Sequence, residues 1–312
     1  VIDTFAKLGV KTTCTCTPYL IGNRPTKGDH VAWSESSAVC FANSVLGAYT
    51  NREGGPSALA SALTGKTPEF GFHLDEKRQA QVTVNVSAEI ERLTDWGALG
   101  HAIGEKAGKK IPLITGIEGS ASEDALKIFS ASVATYAGLA IYHIEGVTPN
   151  ETVKPKETME VTQQDINDSK EFLNDAESVD LVAVGCPHCS MGELEEIAGL
   201  LEGKKVNKEF WICVSREVRD RAAEKGFVEK IEESGAKLAC DTCMAVAPLK
   251  GRFKGLATNS AKAVFYGRGK NSFKTIFCDL EECVKRAVEL SLIHISEPTR
   301  PLYISYAVFC LK

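Results

Sequence analysis

Residues 179–203 have the sequence VDLVAVGCPHCSMGELEEIAGLLEG, which joins a strand pattern to a helical pattern. Its first half is an apolar run rich in valine, which is typical of a strand buried on both faces. Its second half places apolar residues at helical spacing after Ser190, and serine is a residue type that caps helices. A buried strand followed directly by a helix is the repeating unit of a parallel α/β sheet.

The same alternation extends to both sides of this stretch. Strand patterns and helical patterns follow one another over residues 81–147 and again over residues 179–241. Strands that alternate with helices are joined by right-handed crossovers and therefore form parallel sheets. The sequence predicts an α/β protein of two domains with largely parallel sheets.

Residues 149–172, PNETVKPKETMEVTQQDINDSKEF, differ from both flanks because they are polar, charged and without a core pattern. This change predicts a first domain over residues 1–150, a linker over 151–178 with a helical last part, and a second domain over 179–290. Residues 291–312 lack the alternation and resemble translated adapter sequence from genome assembly. We expect a non-native tail there.

Length, charge and hydropathy exclude several function classes. The chain has 312 residues, enough for two cores, and a formal net charge of −5 without a long basic run. Nucleic acid is not expected as a partner, because phosphate binding requires clustered positive charge. No apolar run approaches ~20 residues, and the first residues do not form an export signal. We expect a cytoplasmic protein with no membrane partner, and a chain that begins inside a longer protein.

Eleven cysteines are many for such a protein, and we expect them to be reduced. A disulfide between Cys14 and Cys16 is disfavoured, because such near neighbours rarely reach the required geometry. Three cysteines follow predicted strands: Cys16 after VKTTCT, Cys186 after VDLVAVG and Cys243 shortly after AKLAC. Parallel α/β sheets bind ligands at the carboxyl ends of their strands, so these three thiols can converge on one metal centre.

The cysteine pattern also fits other uses. Cys186 with Cys189, and Cys240 with Cys243, form two C-x-x-C pairs, a pattern typical of structural zinc sites. The pairs are separated by far more than the ~15–20 residues of compact zinc ribbons. Spacing alone leaves an iron–sulfur site, a zinc site and inert buried thiols open. Four further cysteines in helix or strand patterns are predicted to be packing residues: Cys40, Cys213, Cys278 and Cys283.

Residues 50–57, TNREGGPS, are a candidate anion site. Asn51, Arg52 and Glu53 precede a glycine-rich helix start, where backbone N–H groups and a guanidinium favour a carboxylate or phosphate. A solvated turn is the alternative interpretation.

Two further helix starts, SESS and TNSAK, carry short polar groups. Their candidate residues are Glu35, Ser36 and Ser37 in the first, and Asn259, Ser260 and Lys262 in the second. Helix capping and hydrogen bonding to a substrate carboxylate are both open for them. His188 is a candidate donor near a metal centre or a structural histidine, and the role of His30 is open in the same way.

Several long motifs together resemble aconitase X, the short-chain branch of the aconitase superfamily. They are TCTPYLIGNRPTKGDHVAWSESSAVCFANSVLGAYTNREGGPSALASALTGKTP, GVTPN, GCPHCS, DTCMAVAP and TNSAKAVFY, in this order. The resemblance covers residues 1–290 and implies an aconitase-like fold of two α/β domains around a cleft. It also implies an N-terminally truncated fragment whose first domain lacks its N-terminal part.

The resemblance implies an iron–sulfur cluster held by three cysteines, which correspond to Cys16, Cys186 and Cys243. A [4Fe-4S] cluster is favoured over [2Fe-2S]. The other cysteines of these motifs, Cys14, Cys189 and Cys240, are expected to be neighbours of ligands. The substrate-binding candidates are Asn23, Ser36, Ser37, Arg52, Glu53, Asn259, Ser260 and Lys262.

The implied activity is that of a hydro-lyase, which removes water from a small hydroxy acid with an open iron acting as Lewis acid on the hydroxyl. The expected substrate is 5-phosphomevalonate, converted to an anhydromevalonate phosphate in a mevalonate route to isoprenoids, and the alternative is cis-3-hydroxy-L-proline. The catalytic base is expected on a small swivelling-domain subunit, so no base is assigned to this chain. A zinc-stabilised binding protein without activity is the alternative of another class.

Overall fold

The structure, a computed structural model, describes residues 2–117 and 121–289, and the predicted tail lies outside these residues. The helices are α1 (Ile2–Lys7), α2 (Ser36–Phe41), α3 (Gly55–Thr64), α4 (Leu93–Ala107), α5 (Glu123–Tyr136), α6 (Gln163–Phe172), α7 (Met191–Leu201), α8 (Arg216–Glu224), α9 (Phe227–Glu233), α10 (Ala261–Asn271) and α11 (Leu280–Val288). The strands are β1 (Val82–Val86), β2 (Pro112–Thr115), β3 (His143–Ile144), β4 (Thr158–Val161), β5 (Leu181–Val184), β6 (Glu209–Val214), β7 (Lys237–Cys240), β8 (Gly255–Thr258) and β9 (Lys274–Phe277).

The first sheet has the strand order β3-β2-β1-β4, and all of its pairs are parallel. Val82 and Val84 of β1 and Ile114 of β2 are fully buried, as an apolar strand in a parallel sheet requires. The α4 and α5 helices contact each other and contribute most of the helical part of this core. The side chain of Ser122 caps α5 by accepting from the Ala125 N–H at 3.1 Å.

The segment predicted as a linker contains part of the first sheet. Thr158–Val161 forms β4 and pairs with β1, and the following helix α6 contacts α4. Thr162 caps α6 in a reciprocal arrangement with Asp165. Sequence patterning misses β4 because Val161 alone of its four residues is buried, so no apolar run marks the strand.

The second sheet has the order β7-β6-β5-β8-β9 and is also entirely parallel. The strand β5, from the stretch VDLVAVG, is its central strand, and all four residues are buried. The helix α7 begins after Ser190, whose side chain accepts from the Glu193 N–H. The strand, the loop and the helix predicted from residues 179–203 are confirmed.

Two local predictions near the N-terminus are wrong in part. Residues 10–15, predicted as a strand, are irregular, and Cys14 has a φ of 47°, a left-handed value that interrupts an extended chain. Cys16 therefore lies on a loop that continues into the 3-10 turn Pro18–Leu20. The helical spacing of Val39, Phe41, Ala42, Val45 and Leu46 predicts one helix over residues 34–50, but the observed helix is shorter: α2 continues as one π-helical turn and ends at Gly47.

The two sheets are joined by direct contacts between their helices. The Tyr136 hydroxyl at the end of α5 donates to the carbonyl of Ala261 in α10 at 3.0 Å. The Arg92 guanidinium before α4 pairs with Asp279 before α11 at 2.6 Å. These contacts place the N-terminus of α10 against the first sheet's helices. Among the described residues, no helix combines the length and hydropathy that a membrane crossing requires.

Candidate functional site

Cys16, Cys186 and Cys243 meet at the carboxyl edge of the second sheet. Cys186 lies in the loop between β5 and α7, and Cys243 follows β7. The backbone N–H of His188 donates to the Sγ of Cys16 at 3.2 Å, so Cys16 lies against the loop that carries Cys186. Cys186 and Cys243 belong to one packed cluster, and each thiol shifts the pKa of the other. The structure thus brings together the three cysteines singled out from the sequence.

The three thiols influence one another's acidity. Burial, assisted by the Glu35 carboxylate and by Cys243, raises the pKa of Cys16 to about 12. The Cys243 thiol, and then burial, raise the pKa of Cys186. The Cys186 thiol lowers the pKa of Cys243 against the opposing effect of burial, and backbone N–H groups of the following residues lower it further. Cys243 is therefore the most acidic thiol of the three.

The loop between β5 and α7 depends on the glycine that opens it. Gly185 has a φ of 86°, and a Cβ at this position would lie 2.2 Å from the carbonyl oxygen of Cys213 in β6. The close approach lets the Cys189 N–H donate to that same carbonyl at 2.9 Å. The loop therefore turns Cys189 toward the sheet, while Cys186 stays at the edge.

The two C-x-x-C pairs do not form a zinc tetrad. Cys189 is 1% exposed and packs in the apolar core of the second sheet, and Cys240 lies within β7. Over residues 2–117 and 121–289, no group of three or more His, Cys, Asp and Glu side chains is arranged to hold a metal ion. What distinguishes Cys16, Cys186 and Cys243 is that three separate segments bring them to one edge of the sheet, where the thiols shift one another's pKa.

The remaining cysteines divide into buried and partly exposed ones. Cys40, Cys213 and Cys283 are buried, as predicted for packing residues, and Cys14 is exposed. Cys278 is half-buried, and its Sγ lies 3.5 Å from the Sγ of Cys283, a proximity that the sequence did not predict.

A lysine and a carboxylate form an ion pair beside the cysteines. Lys262, in the first turn of α10, is 7% exposed and donates to the Glu35 carboxylate before α2. Glu35 also accepts from the Ser37 hydroxyl at 2.5 Å and from the Ala38 N–H at 2.8 Å. Glu35 thus caps α2, which is one of the two roles left open from the sequence, and it also fixes Lys262, which was not predicted.

The ion pair keeps its charges at neutral pH. Burial opposes the charge of Lys262, but Glu35 and Cys186 outweigh it and raise the lysine's pKa above its ordinary value. Burial likewise opposes the charge of Glu35, and Lys262, with hydrogen bonds from Ser37 and Ala38, lowers the carboxyl pKa. Both charges also act on the Cys16 thiol: the Glu35 carboxylate raises its pKa, and the Lys262 ammonium lowers it. The pair belongs to the same electrostatic site as the thiols.

The polar residues before α10 connect the ion pair to the cysteine loop. Ser260 caps α10 by accepting from the Ala263 N–H at 3.1 Å, and its hydroxyl donates to the carbonyl oxygen of Cys186. Asn259 is buried beside it, and Ser36 is half-buried at the start of α2. Three predicted substrate-binding residues therefore contact this network, namely Ser37, Ser260 and Lys262, and Ser36 and Asn259 are their neighbours in the chain.

The other predicted substrate-binding residues line other cavities. Arg52 is exposed, donates to the carbonyl of Gly138, and lines a cavity of about 570 Å³ together with Glu53. Glu53 is buried, and its Oε2 accepts from the Ser57 hydroxyl at 2.5 Å. Its Oε1 is buried without a partner among the described residues. Asn23 lines a second cavity of about 840 Å³.

Two histidines face the second cavity. The Nδ1 atoms of His30 and His73 lie 2.8 Å apart, so one ring donates to the other, although the residues are 43 positions apart in sequence. His73 is buried, and its Nε2 has no partner among the described residues. His30 thus pairs with His73, a contact for which no local sequence signal exists.

The fold and the site together define a class of protein. It is an α/β protein with two parallel sheets, and thiols and a lysine–carboxylate pair form a site at the carboxyl edge of the second sheet. Three family models match the chain in succession, namely the aconitase X first domain over residues 1–76, the second domain over 80–171 and the third domain over 179–289. The chain belongs to the aconitase X family.

Similar proteins are dehydratases by name, and dehydratases are hydro-lyases. A phosphomevalonate dehydratase large subunit from Methanosarcina mazei is 41% identical over 92% of this chain and 72% of that protein. One from Thermococcus kodakarensis is 43% identical over 92% and 75%. A cis-3-hydroxy-L-proline dehydratase from Pseudomonas aeruginosa is 34% identical over 91% and 52%.

A solved structure supports the same assignment. The crystal structure of Thermococcus kodakaraensis aconitase X in its holo-form matches with a TM-score of 0.87 at 42% identity, covering 92% of this chain and 75% of that chain. The resemblance stated from the motifs and the aconitase-like α/β fold are both confirmed.

Proposed function

We propose that this chain is the large subunit of a hydro-lyase that removes water from 5-phosphomevalonate in a mevalonate route to isoprenoids. The observation that carries the proposal is the meeting of Cys16, Cys186 and Cys243 beside Lys262. Five relatives named phosphomevalonate dehydratase large subunit share 36–43% identity with the chain, against 33–34% for the two named cis-3-hydroxy-L-proline dehydratase. The higher identity favours phosphomevalonate.

The residues of the site fit an iron–sulfur cluster. Thiolates are the usual ligands of such clusters, and three of them fit a [4Fe-4S] cluster with one iron left open better than a [2Fe-2S] cluster, which uses four protein ligands. The His188 N–H that donates to Cys16 Sγ is the kind of hydrogen bond that tunes such clusters. We propose Cys16, Cys186 and Cys243 as the ligands. When bound, the cluster would supply a Lewis-acidic iron for the substrate hydroxyl.

Lys262 is the proposed partner of the substrate carboxylate. Its ammonium is buried and stays protonated because Glu35 faces it, so it can donate a hydrogen bond to a carboxylate where little water competes. Glu35 orients the ammonium, and Ser37 and the Ala38 N–H hold Glu35 in turn. The polar groups proposed to complete the carboxylate site are Ser36, Ser37, Asn259 and Ser260.

Arg52 and Glu53, which line one cavity, are proposed contacts for the substrate phosphate, and Asn23, which lines another cavity, is a separate proposed contact. Arg52 projects an exposed guanidinium into a cavity, and guanidinium groups bind phosphate in two parallel hydrogen bonds. Relatives carry the name large subunit, which favours a small subunit as the partner of this chain. We propose that the small subunit contributes the catalytic base, as no residue of this chain is assigned that role.

The test is reconstitution of the chain, co-expressed with a small subunit of the same enzyme, with iron and sulfide under anaerobic conditions. We expect visible absorbance, bound iron and sulfide, and dehydration of 5-phosphomevalonate. Dehydration of cis-3-hydroxy-L-proline instead of 5-phosphomevalonate would show that the proposed substrate is wrong and that the proposed hydro-lyase activity is right. Bound zinc without colour or turnover of either substrate would contradict the proposal and support a zinc-stabilised binding protein.

A further inference from the structure

We propose that His188 is the positioning residue that holds the three cysteine-bearing segments in one site. The inference rests on the proposed function only in assuming that the three thiols serve one centre. The contacts that carry it belong to the chain itself.

The imidazole of His188 joins two segments that are distant in sequence from its own. Its Nδ1 lies 3.0 Å from the Oγ1 of Thr15, the residue before Cys16. Its Nε2 lies 3.2 Å from the carbonyl oxygen of Thr242, the residue before Cys243. One side chain thus contacts the neighbours of two thiols, and its own loop carries the third, Cys186.

The directions of these hydrogen bonds follow from the partners. The carbonyl of Thr242 accepts hydrogen bonds only, so the Nε2 of His188 carries the proton and donates. The Nδ1 then accepts from the Thr15 hydroxyl, whose oxygen accepts in turn from the Thr17 N–H at 3.1 Å. Each of these polar groups is satisfied in this arrangement. A neutral imidazole with a fixed tautomer fits both partners at once.

The backbone of His188 is held as firmly as its ring. Its N–H donates to the Sγ of Cys16, and its carbonyl oxygen lies 3.5 Å from the Nζ of Lys127. Lys127, on α5, is fully buried and pairs with Glu193 on α7 and with Asp124 at 2.9 Å. The helix α5, which packs on the first sheet, therefore contacts the loop that carries His188 through Lys127. His188, which is 3% exposed, has its ring, N–H and carbonyl all engaged.

An apolar residue could fill the same space but could not join these segments, because both ring contacts are directional hydrogen bonds. Without them, the irregular segment that carries Cys16 and the loop that carries Cys243 are held by fewer contacts to the Cys186 loop. The geometry predicts that loss of the imidazole separates the thiols while the two sheets stay folded.

The first experiment uses the full chain, reduced and free of metal. His188→Ala and Thr15→Val are compared with wild type and with His101→Ala, a matched control in which another buried histidine loses a hydrogen bond, to Ser169 at 3.0 Å. Alkylation rates of individual cysteines are measured by iodoacetamide labelling and peptide mass spectrometry. We expect faster labelling of Cys16 and Cys243 in His188→Ala, and of Cys16 alone in Thr15→Val. We expect wild-type rates in His101→Ala at a similar loss of melting temperature.

The second experiment measures cluster binding after reconstitution with iron and sulfide. Loss of a residue that orients metal ligands typically weakens metal binding by about 10- to 100-fold, and we expect His188→Ala to fall in this range. His188→Asn, which retains one donor and one acceptor, should bind more tightly than His188→Ala. This conservative variant keeps the inference testable where His188→Ala does not fold.

The outcomes separate this inference from the proposed function. Wild-type chain that takes up no iron would contradict the proposed function, and the labelling rates would still decide the role of His188. Unchanged labelling of Cys16 and Cys243 in His188→Ala would overturn the positioning role, as would an equal increase in His101→Ala. Faster labelling together with weaker cluster binding, both confined to the His188 and Thr15 variants, would support it.

Discussion

The cysteine edge of the second sheet and the turn that carries Arg52 were both selected from the sequence as ligand-binding regions, and the structure gives them opposite settings. At the cysteine edge, the contacts join residues far apart in sequence, such as His188 with Cys16 at a separation of 172 positions. The ion pair between Lys262 and Glu35 lies in the same buried region. The Arg52 side chain is exposed, and the helix α3 that follows it has no buried residue.

The two regions differ in burial, and burial determines how strongly their charges interact. Charges in a buried region interact strongly, and the loss of one partner leaves the other uncompensated. An exposed guanidinium is solvated and screened, so its removal changes stability little. Substitutions at the cysteine edge should therefore affect folding and cofactor binding together, whereas those at Arg52 should affect ligand binding alone.

The largest expected effect tests the thiols. Cys186→Ala should abolish most cluster binding, because one of three proposed ligands is lost and the remaining thiols do not saturate the cluster. Cys213→Ala, which removes a buried thiol from β6 in the same sheet, is the matched control and should retain iron. Bound iron and sulfide per chain are measured after reconstitution. Equal iron in the two variants would make Cys186 a packing residue.

The next effect tests the ion pair. Lys262→Met should lower the free energy of unfolding by about 2–4 kcal/mol, because the Glu35 carboxylate, whose side chain is 32% exposed, loses its charged partner but keeps the Ser37 and Ala38 hydrogen bonds. Lys270→Met, at an exposed position later in α10, should change it by less than about 1 kcal/mol. Urea denaturation of the metal-free chains gives both values. The double variant Lys262→Met, Glu35→Gln should recover part of the loss, and no recovery would argue against the pairing as its cause.

Arg52 provides the contrasting measurement. In the reconstituted two-subunit enzyme, Arg52→Ala should lower kcat/KM by on the order of 30- to 1000-fold, equivalent to about 2–4 kcal/mol of lost transition-state binding. Its free energy of unfolding should change by less than about 1 kcal/mol, since the side chain is exposed and donates to a single carbonyl. Arg24→Ala, which removes an exposed arginine paired with Glu123, is the control and should leave kcat/KM unchanged. Unchanged kinetics in Arg52→Ala would return Arg52 to the role of a solvated turn residue.

The smallest effect is the pH dependence of Glu35. Its carboxyl pKa is lowered in the folded chain: burial opposes the shift, and Lys262 and the hydrogen bonds outweigh burial. A lowered pKa stabilises the fold above the unfolded value of 4.5, and this stabilisation is lost as the pH falls below 4.5 through the folded pKa. Glu35→Gln should therefore show a shallower loss of stability below pH 4.5 than wild type. The exposed Glu195→Gln should follow the wild-type curve, and parallel curves for wild type and Glu35→Gln would contradict the assignment.

Local patterns were sufficient for most of the strands and helices. The run VDLVAVG is apolar because β5 is covered on both faces, and a strand buried in this way needs consecutive apolar residues. Its burial can therefore be predicted from the local sequence. The position of Cys186 after such a strand was enough to place it at a carboxyl edge. The same logic failed for β4, which is mostly exposed, and for residues 10–15, where β-branched residues favour a strand but the left-handed Cys14 interrupts it.

The sequence by itself determined the α/β class, the parallel sheets and the family, because periodicity and long motifs are properties of neighbouring residues. The tertiary structure alone decided which polar groups share a site. Lys262 meets Glu35 across 227 positions, and His188 meets Thr15 across 173. No local pattern encodes such pairs. They form only in the folded chain, where the loops that follow parallel strands meet at the same edge of the sheet.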